Sequence, residues 1–244
     1  MKIVKILISG ILMLSFFSNV SALKESIEVQ PNIEIADQES PINVNAYLNY
    51  KNLGSNRIMP MVVCSETICV TETINITGLT KYYQNLQSWS PNIMQSCGFS
   101  IETDGCALTS LSMIANKYTT DRNPGQLNTF LGNLACPMSW ASAATKLGLQ
   151  YEKLYQNVYP GGSLASVKDV LLGVLRAGRP VLLGMTYMVN NKVKYHYVVV
   201  KGYTGFSDGS YSFSIYDPSA NKDYLNLMQY MNLGYGIIQI HVYY

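Results

Sequence analysis

From about residue 80 onward the chain spells out helices first and strands afterwards, and few folds accept that order. Residues 107–117 set Leu108, Leu111 and Ala115 on one helical face. Residues 124–131 follow an asparagine able to cap them, and residues 138–146 make a further short helix. The clearest helix covers residues 163–177. Ser163 stands at its N-cap, Leu164, Val167, Val170, Leu171 and Val174 form one stripe, and Gly178 stops it. Beyond Pro180 come VLLGMTY, YHYVVVKGY, YSFSIYD and YGIIQIHVY, runs rich in β-branched and aromatic residues. Helices followed by consecutive strands predict an α+β domain with an antiparallel sheet. The Gly161-Gly162 pair reads as a loop, and no internal repeat is present.

Residues 23–79 read differently. SIEVQ, NIEIA, NVNAYLNY, IMPMVV and VTETINIT alternate briefly and are broken by Pro, Asn, Gly and Ser. A propeptide, a small accessory β unit and a stalk all fit such a segment. The first 22 residues carry the parts of an export leader: Lys2 and Lys5, an apolar run from Ile6 to Phe17, then Val20 and Ala22 at the spacing signal peptidases read. Cleavage after Ala22 is expected, because a run of roughly a dozen apolar residues is short of the ~20 an uncut anchor needs. No later stretch is long and apolar enough to span a bilayer, so the mature chain is expected to be secreted or to reside in the periplasm or cell envelope. Without Lys2 and Lys5, fifteen basic residues face fifteen acidic ones. Charged residues make up only 13% of the chain, so no basic field exists to hold nucleic acid or an anionic membrane.

Five cysteines in an exported chain leave one over. Cys64 and Cys69 lie in two strand-like runs close enough for a hairpin cross-link, and Cys97 and Cys136 flank the segment containing Cys106. If those two pairs close, the leftover thiol is Cys106. A different connectivity or a reducing compartment stays open at this level, since spacing alone does not fix pairing.

Cys106 opens a helix in TDGCALTSLSMIAN, where the dipole and unpaired N–H groups favour a thiolate, the attacking species in cysteine catalysis. Gly105 lets the chain approach closely just before it. His196 is predicted to open the strand HYVVVKGY, on one face with Val198 and Val200, where core meets solvent. Asp217 ends the next strand, and Pro218 prevents that strand from continuing. A hairpin loop around Asp208-Gly209 would bring the start of the first strand beside the end of the second, so that Asp217 fixes the imidazole tautomer and the other ring nitrogen faces the thiol. Each has an ordinary reading as well: a buried or disulfide cysteine, a structural histidine, an Asp-Pro turn. His241, three residues from the end, reads as part of sheet closure.

Gln84 in TKYYQNLQSW says nothing alone, but an amide beside the Cys106 N–H would complete an oxyanion hole. The succession YYQ-x4-W, GC-x-LTS-x-x-M, GRPV, HYVVV-x-GY and YDPS resembles the double-glycine-leader (bacteriocin-processing) bacterial cysteine peptidases, and more closely the soluble branch of that papain-related family. The resemblance runs from Lys81 to Tyr244. It implies a papain-like fold, with N-terminal helices, the nucleophile at a helix start, packed on a C-terminal antiparallel sheet. It puts the nucleophile on Cys106, the base on His196, the third member on Asp217 and the oxyanion glutamine on Gln84, with no cofactor or metal. The founding members are fused to a transporter and trim after a double glycine inside the cell; that substrate is not carried over here, and the segment 23–79 is outside the family pattern. Hydrolysis of peptide or protein substrates through an acyl-enzyme is the leading expectation. A cell-wall peptide amidase or an acyl or amide transferase would use the same residues, and a non-catalytic peptide-binding module would keep only the fold.

Overall fold

The spine of the structure is one long strand, and the reason lies in a tight turn. The computed structural model describes residues 63–65 and 68–244, all within one unit, Ser40–Tyr244. The leader over residues 1–22 and most of the segment 23–79 lie outside the described residues. Strands β4 (Val181–Val189) and β5 (Lys192–Phe206) are joined by Asn190 and Asn191, both at positive φ (49° and 59°), a conformation asparagine tolerates. That turn pairs Val189 directly with Lys192, so β5 runs for 15 residues. It is long enough to pair with β4, with β2 (Ile68–Asn75) and with β6 (Tyr211–Tyr216) at different levels. With β1 (Val63–Ser65), β3 (Tyr151–Gln156) and β7 (Gly236–Tyr243), the order is β1-β2-β5-β4-β7-β3, with β6 also on β5. Every pairing is antiparallel. The α+β class and the antiparallel sheet agree with the sequence expectation.

Alternation along the strands builds two cores rather than one. Leu183 and Met185 on β4 and Val198 and Val200 on β5 face one cluster, whereas Leu182 and Val199 face the other. The first cluster holds helix α5 (Leu164–Arg176), whose stripe Val167, Val170, Leu171 and Val174 is fully enclosed. Each such side chain contributes about 1.5–3 kcal/mol by leaving water. Ser163 caps α5, its Oγ accepting from the Ser166 N–H. The second cluster holds α1 (Ile101–Asp104), α2 (Cys106–Ala115), α3 (Pro124–Leu131) and α4 (Trp140–Leu147). Asn123 and Gln126 form a reciprocal capping box on α3, as the asparagine before it suggested. Helices therefore cover both faces of the sheet, a division the order of elements alone does not specify.

Part of the segment before residue 80 belongs to this sheet. Strand β2 pairs with β5, and Arg176 at the end of α5 donates twice to Glu72 on β2, at 2.8 and 2.7 Å. Strand β3 escapes the sequence reading because YEKLYQ buries only Leu154 and Tyr155 at the sheet edge. Among the described residues, no helix is long and apolar enough to cross a membrane.

Candidate active site

Cys106 is the first residue of α2. The single turn of α1 before it is capped by Ser100, whose Oγ accepts from the Thr103 N–H. Gly105 joins the two helices, donating its N–H to the Ile101 carbonyl. A Cβ on Gly105 would lie 2.3 Å from that carbonyl oxygen, so only glycine fits this junction. The junction sets the sulfur at a helix N-terminus, where first-turn N–H groups have no intrahelical acceptor and an anion is favoured. Cys106 is a free, half-buried thiol. Cys97 and Cys136 are joined, with Cα atoms 5.7 Å apart. Cys64 and Cys69 stand opposite each other in register, and Cys69 is in a disulfide.

His196 requires a correction. It does not open its strand: β5 begins at Lys192, and the Asn190-Asn191 turn carries the β4–β5 pairing past it, with Met185 opposite the histidine. The opening comes from the other neighbour. Pairing of β6 with β5 ends at Val199↔Tyr216, and Asp217, the next residue, turns its carboxylate onto the ring. His196 Nε2 and Asp217 Oδ1 are 3.0 Å apart, and Cys106 acts on the same ring, favouring its protonated form. With Nε2 on the carboxylate, Nδ1 is the nitrogen left for the sulfur. Asp217 is fully buried and accepts four hydrogen bonds. Oδ1 takes the His196 ring and the Ser219 N–H (2.9 Å); Oδ2 takes the Tyr230 hydroxyl (2.5 Å) and the Tyr224 N–H (3.3 Å). Burial alone would raise the carboxyl pKa, but the His196 bond and charge, Tyr230 and Ser219 bring it below its ordinary value. Burial likewise opposes the imidazolium, yet the bonds and charges of Asp217 and Cys106 prevail and raise it to about 9.

The second histidine is held the other way. The Tyr151 hydroxyl lies 2.9 Å from His241 Nδ1, and Nε2 lies 3.2 Å from Gln239 Oε1, with the Trp140 ring stacked at 4.3 Å. Burial first, and the Lys153 charge second, lower its pKa to about 3. The two histidines therefore tilt stability in opposite directions from the ordinary value of 6.5. Between 6.5 and about 9 the folded chain keeps a proton on His196 that the unfolded chain has lost, so stability falls as pH rises. Between 6.5 and about 3 the unfolded chain takes a proton that buried His241 refuses, so stability falls as pH drops. Urea midpoints should peak near neutrality. His241→Phe should flatten the acid side and His196→Gln the alkaline side; a wild-type profile rising or falling steadily across this range would contradict both assignments.

Gln84 is tied to both halves of this arrangement. Its N–H donates to the Pro218 carbonyl at 2.7 Å, and its Nε2 donates to the Glu102 carbonyl of α1 at 2.9 Å. The neighbouring Asn85 Oδ1 accepts from the Ala220 N–H at 2.8 Å. Residues 84 and 85 thus clip the loop after Asp217 to the turn that precedes Cys106. The Nε2 bond to Glu102 uses one of two amide hydrogens. The structure accordingly pairs His196 with Asp217 and ties Gln84 to the residue after Asp217 and to the turn that leads into Cys106. Sequence reasoning missed Tyr230, the Ser219 and Tyr224 N–H groups, and the Asn85 clip. Among 19 tyrosines, nothing in LMQYMNLGYG distinguishes Tyr230.

A phenol on the opposite face of β5 also feels the cysteine. Tyr197, kept protonated by burial first and by Cys106 second, reaches across Gly184 to donate to Gln239 Oε1 at 2.7 Å. A Cβ on Gly184 would meet the Tyr197 ring at 2.7 Å. Among the described residues, no group of three His, Cys, Asp or Glu side chains could hold a metal ion. No curated protein matches the chain. A family model does, across residues 79–235, a stretch that includes Gln84, Cys106, His196, Asp217 and Tyr230. Through that match, the chain belongs to the Peptidase_C39 like family, a cysteine peptidase family of the C39 type.

Proposed function

We propose that the protein is an exported, papain-like cysteine peptidase in which Cys106 is the nucleophile and His196 its base. The observation that carries this reading is the His196 ring bonded to the buried Asp217 carboxylate at 3.0 Å, with the free Cys106 thiol near enough to raise the ring's pKa. The thiolate attacks the peptide carbonyl carbon, and the resulting oxyanion is held by the Cys106 N–H and the second amide hydrogen of Gln84. His196 gives its proton to the departing amine, leaving an acyl-enzyme. Water, deprotonated by the same ring, then attacks the thioester and releases the acid. Asp217 keeps Nε2 bonded and Nδ1 aimed at the sulfur throughout. Export rests on the leader over residues 1–22, with cleavage after Ala22.

Iodoacetamide alkylation of the oxidised protein from pH 4 to 9, with the labelled peptide located by mass spectrometry, tests the reading. Labelling should fall on Cys106 and stay fast well below the ordinary thiol pKa of about 8.5, and His196→Ala should return it to ordinary thiol behaviour. An unreactive Cys106 would overturn the assignment.

A further inference from the structure

A lysine without a carboxylate partner stands at the end of an aromatic wall that begins on His196. The rings follow one another: His196 to Tyr230 at 5.2 Å, Tyr230 to Tyr235 at 4.8 Å, and Tyr235 to Tyr187 at 4.2 Å, the last pair stacked. Lys222 closes this run. Its Nζ donates to the Tyr235 hydroxyl at 2.7 Å and lies 5.4, 5.3 and 5.1 Å from the centres of the Tyr187, Tyr230 and Tyr235 rings. The residue is exposed, and its neighbour Asp223 is already paired with Lys81. Among the described residues no carboxylate is within ion-pair distance of Lys222. Two of its three donors have no bond of their own in this arrangement. The Tyr187 phenol is shifted upward by burial first and by Tyr235 second, and it lies within electrostatic reach of Lys222 and Cys106.

The chemistry of the site fixes which part of a substrate meets this wall. His196 must reach the departing amine to protonate it, so the leaving-group segment lies on the His196 side of the sulfur. The aromatic run extends from that same ring. Tyr230 and Tyr235 are buried and back the run. The partly exposed Tyr187 ring offers a flat apolar face for the chain, and the exposed Lys222 ammonium offers a positive charge at its edge.

We infer that Lys222, held over Tyr187, Tyr230 and Tyr235, is a specificity-determining residue that reads a carboxylate on the leaving-group side of the scissile bond. The carboxylate is that of an acidic side chain just after the bond or the free C-terminus of a short peptide. This rests on the peptidase reading above, since it uses His196 to orient the substrate.

The test compares two reagents that differ in one charge. Iodoacetate and iodoacetamide both alkylate Cys106, and their rate ratio reports how strongly the site favours an anion. Lys222→Gln should lower the iodoacetate-to-iodoacetamide ratio about three- to tenfold, and Lys222→Arg should keep most of it. A ratio unchanged in Lys222→Gln, with iodoacetamide still fast, overturns the inference and leaves the peptidase standing. Failure of both reagents at wild-type Cys106 overturns the site itself and the inference with it. Peptide libraries with free or amidated C-termini then separate the sources. Cuts followed by Asp or Glu in both libraries identify the side chain; cuts lost on amidation identify the terminus; cuts indifferent to both overturn the inference.

Discussion

Cys106→Ala should lower kcat/KM for peptide hydrolysis by at least about a thousandfold while leaving the melting temperature within a degree or two of wild type. The thiol is free and half-buried, and it is the first residue of α2, so its loss removes one atom whose influence falls on the His196 ring rather than on the helix that carries it. The chain turn that carries it is maintained by Ser100, Ile101 and Gly105, none of which the substitution touches. His196→Ala should cost a similar factor, because a thiol without its base is mostly protonated at neutral pH. The double variant should be little worse than either, since the two act as one unit. Calorimetry separates the pair: His196→Ala also strips a donor from Asp217 and should lower the melting temperature, whereas Cys106→Ala should not. Residual turnover above a tenth of wild type in Cys106→Ala would mean that a different group attacks the substrate.

The contrast between Cys106 and Tyr230 explains what could be read in advance. A cysteine just after a glycine at a helix start is a local pattern, and so is an aspartate that ends a strand before proline; both survive in the sequence. The partnership of His196 with Asp217 follows from hairpin connectivity, which two strands and one short loop make legible. His196 looked terminal because YHYVVV carries the β signal, whereas the preceding NNKVK is polar. Only the tertiary pairing of Val189 with Lys192 shows that the strand continues through it. Tyr230 and Gln84 depend on contacts between segments with no shared periodicity: a loop after β6, the turn before α2 and the short helix Met228–Met231. The covering of both sheet faces was equally hidden. Apolar strands such as VLLGM announce burial on two sides, but not which helix lies on which side.

Asp217 should prove the most sensitive position for fold and turnover together. All four of its partners are donors: the His196 ring, the Tyr230 hydroxyl and the N–H groups of Ser219 and Tyr224. A carboxylate can accept from all of them, and an amide cannot. In Asp217→Asn the NH2 group has to face one pair of donors. Turning it toward Tyr230 is the cheaper choice, because that hydroxyl can rotate to accept, and the carbonyl oxygen then stays on His196. The ring keeps its orientation but loses the negative charge that helps raise its pKa to about 9. The alkaline limb of the pH–rate profile should therefore move down, and kcat/KM should fall on the order of 10²–10⁴-fold. Asp217→Ala goes further, leaving buried donors without an acceptor, and should cost about 2–4 kcal/mol of stability in urea. Tyr230→Phe removes a single donor and keeps the charge; about 1 kcal/mol and a several-fold loss of activity are expected. A Tyr230→Phe effect on the alkaline limb as large as that of Asp217→Asn would locate the control of His196 in the phenol rather than the carboxylate.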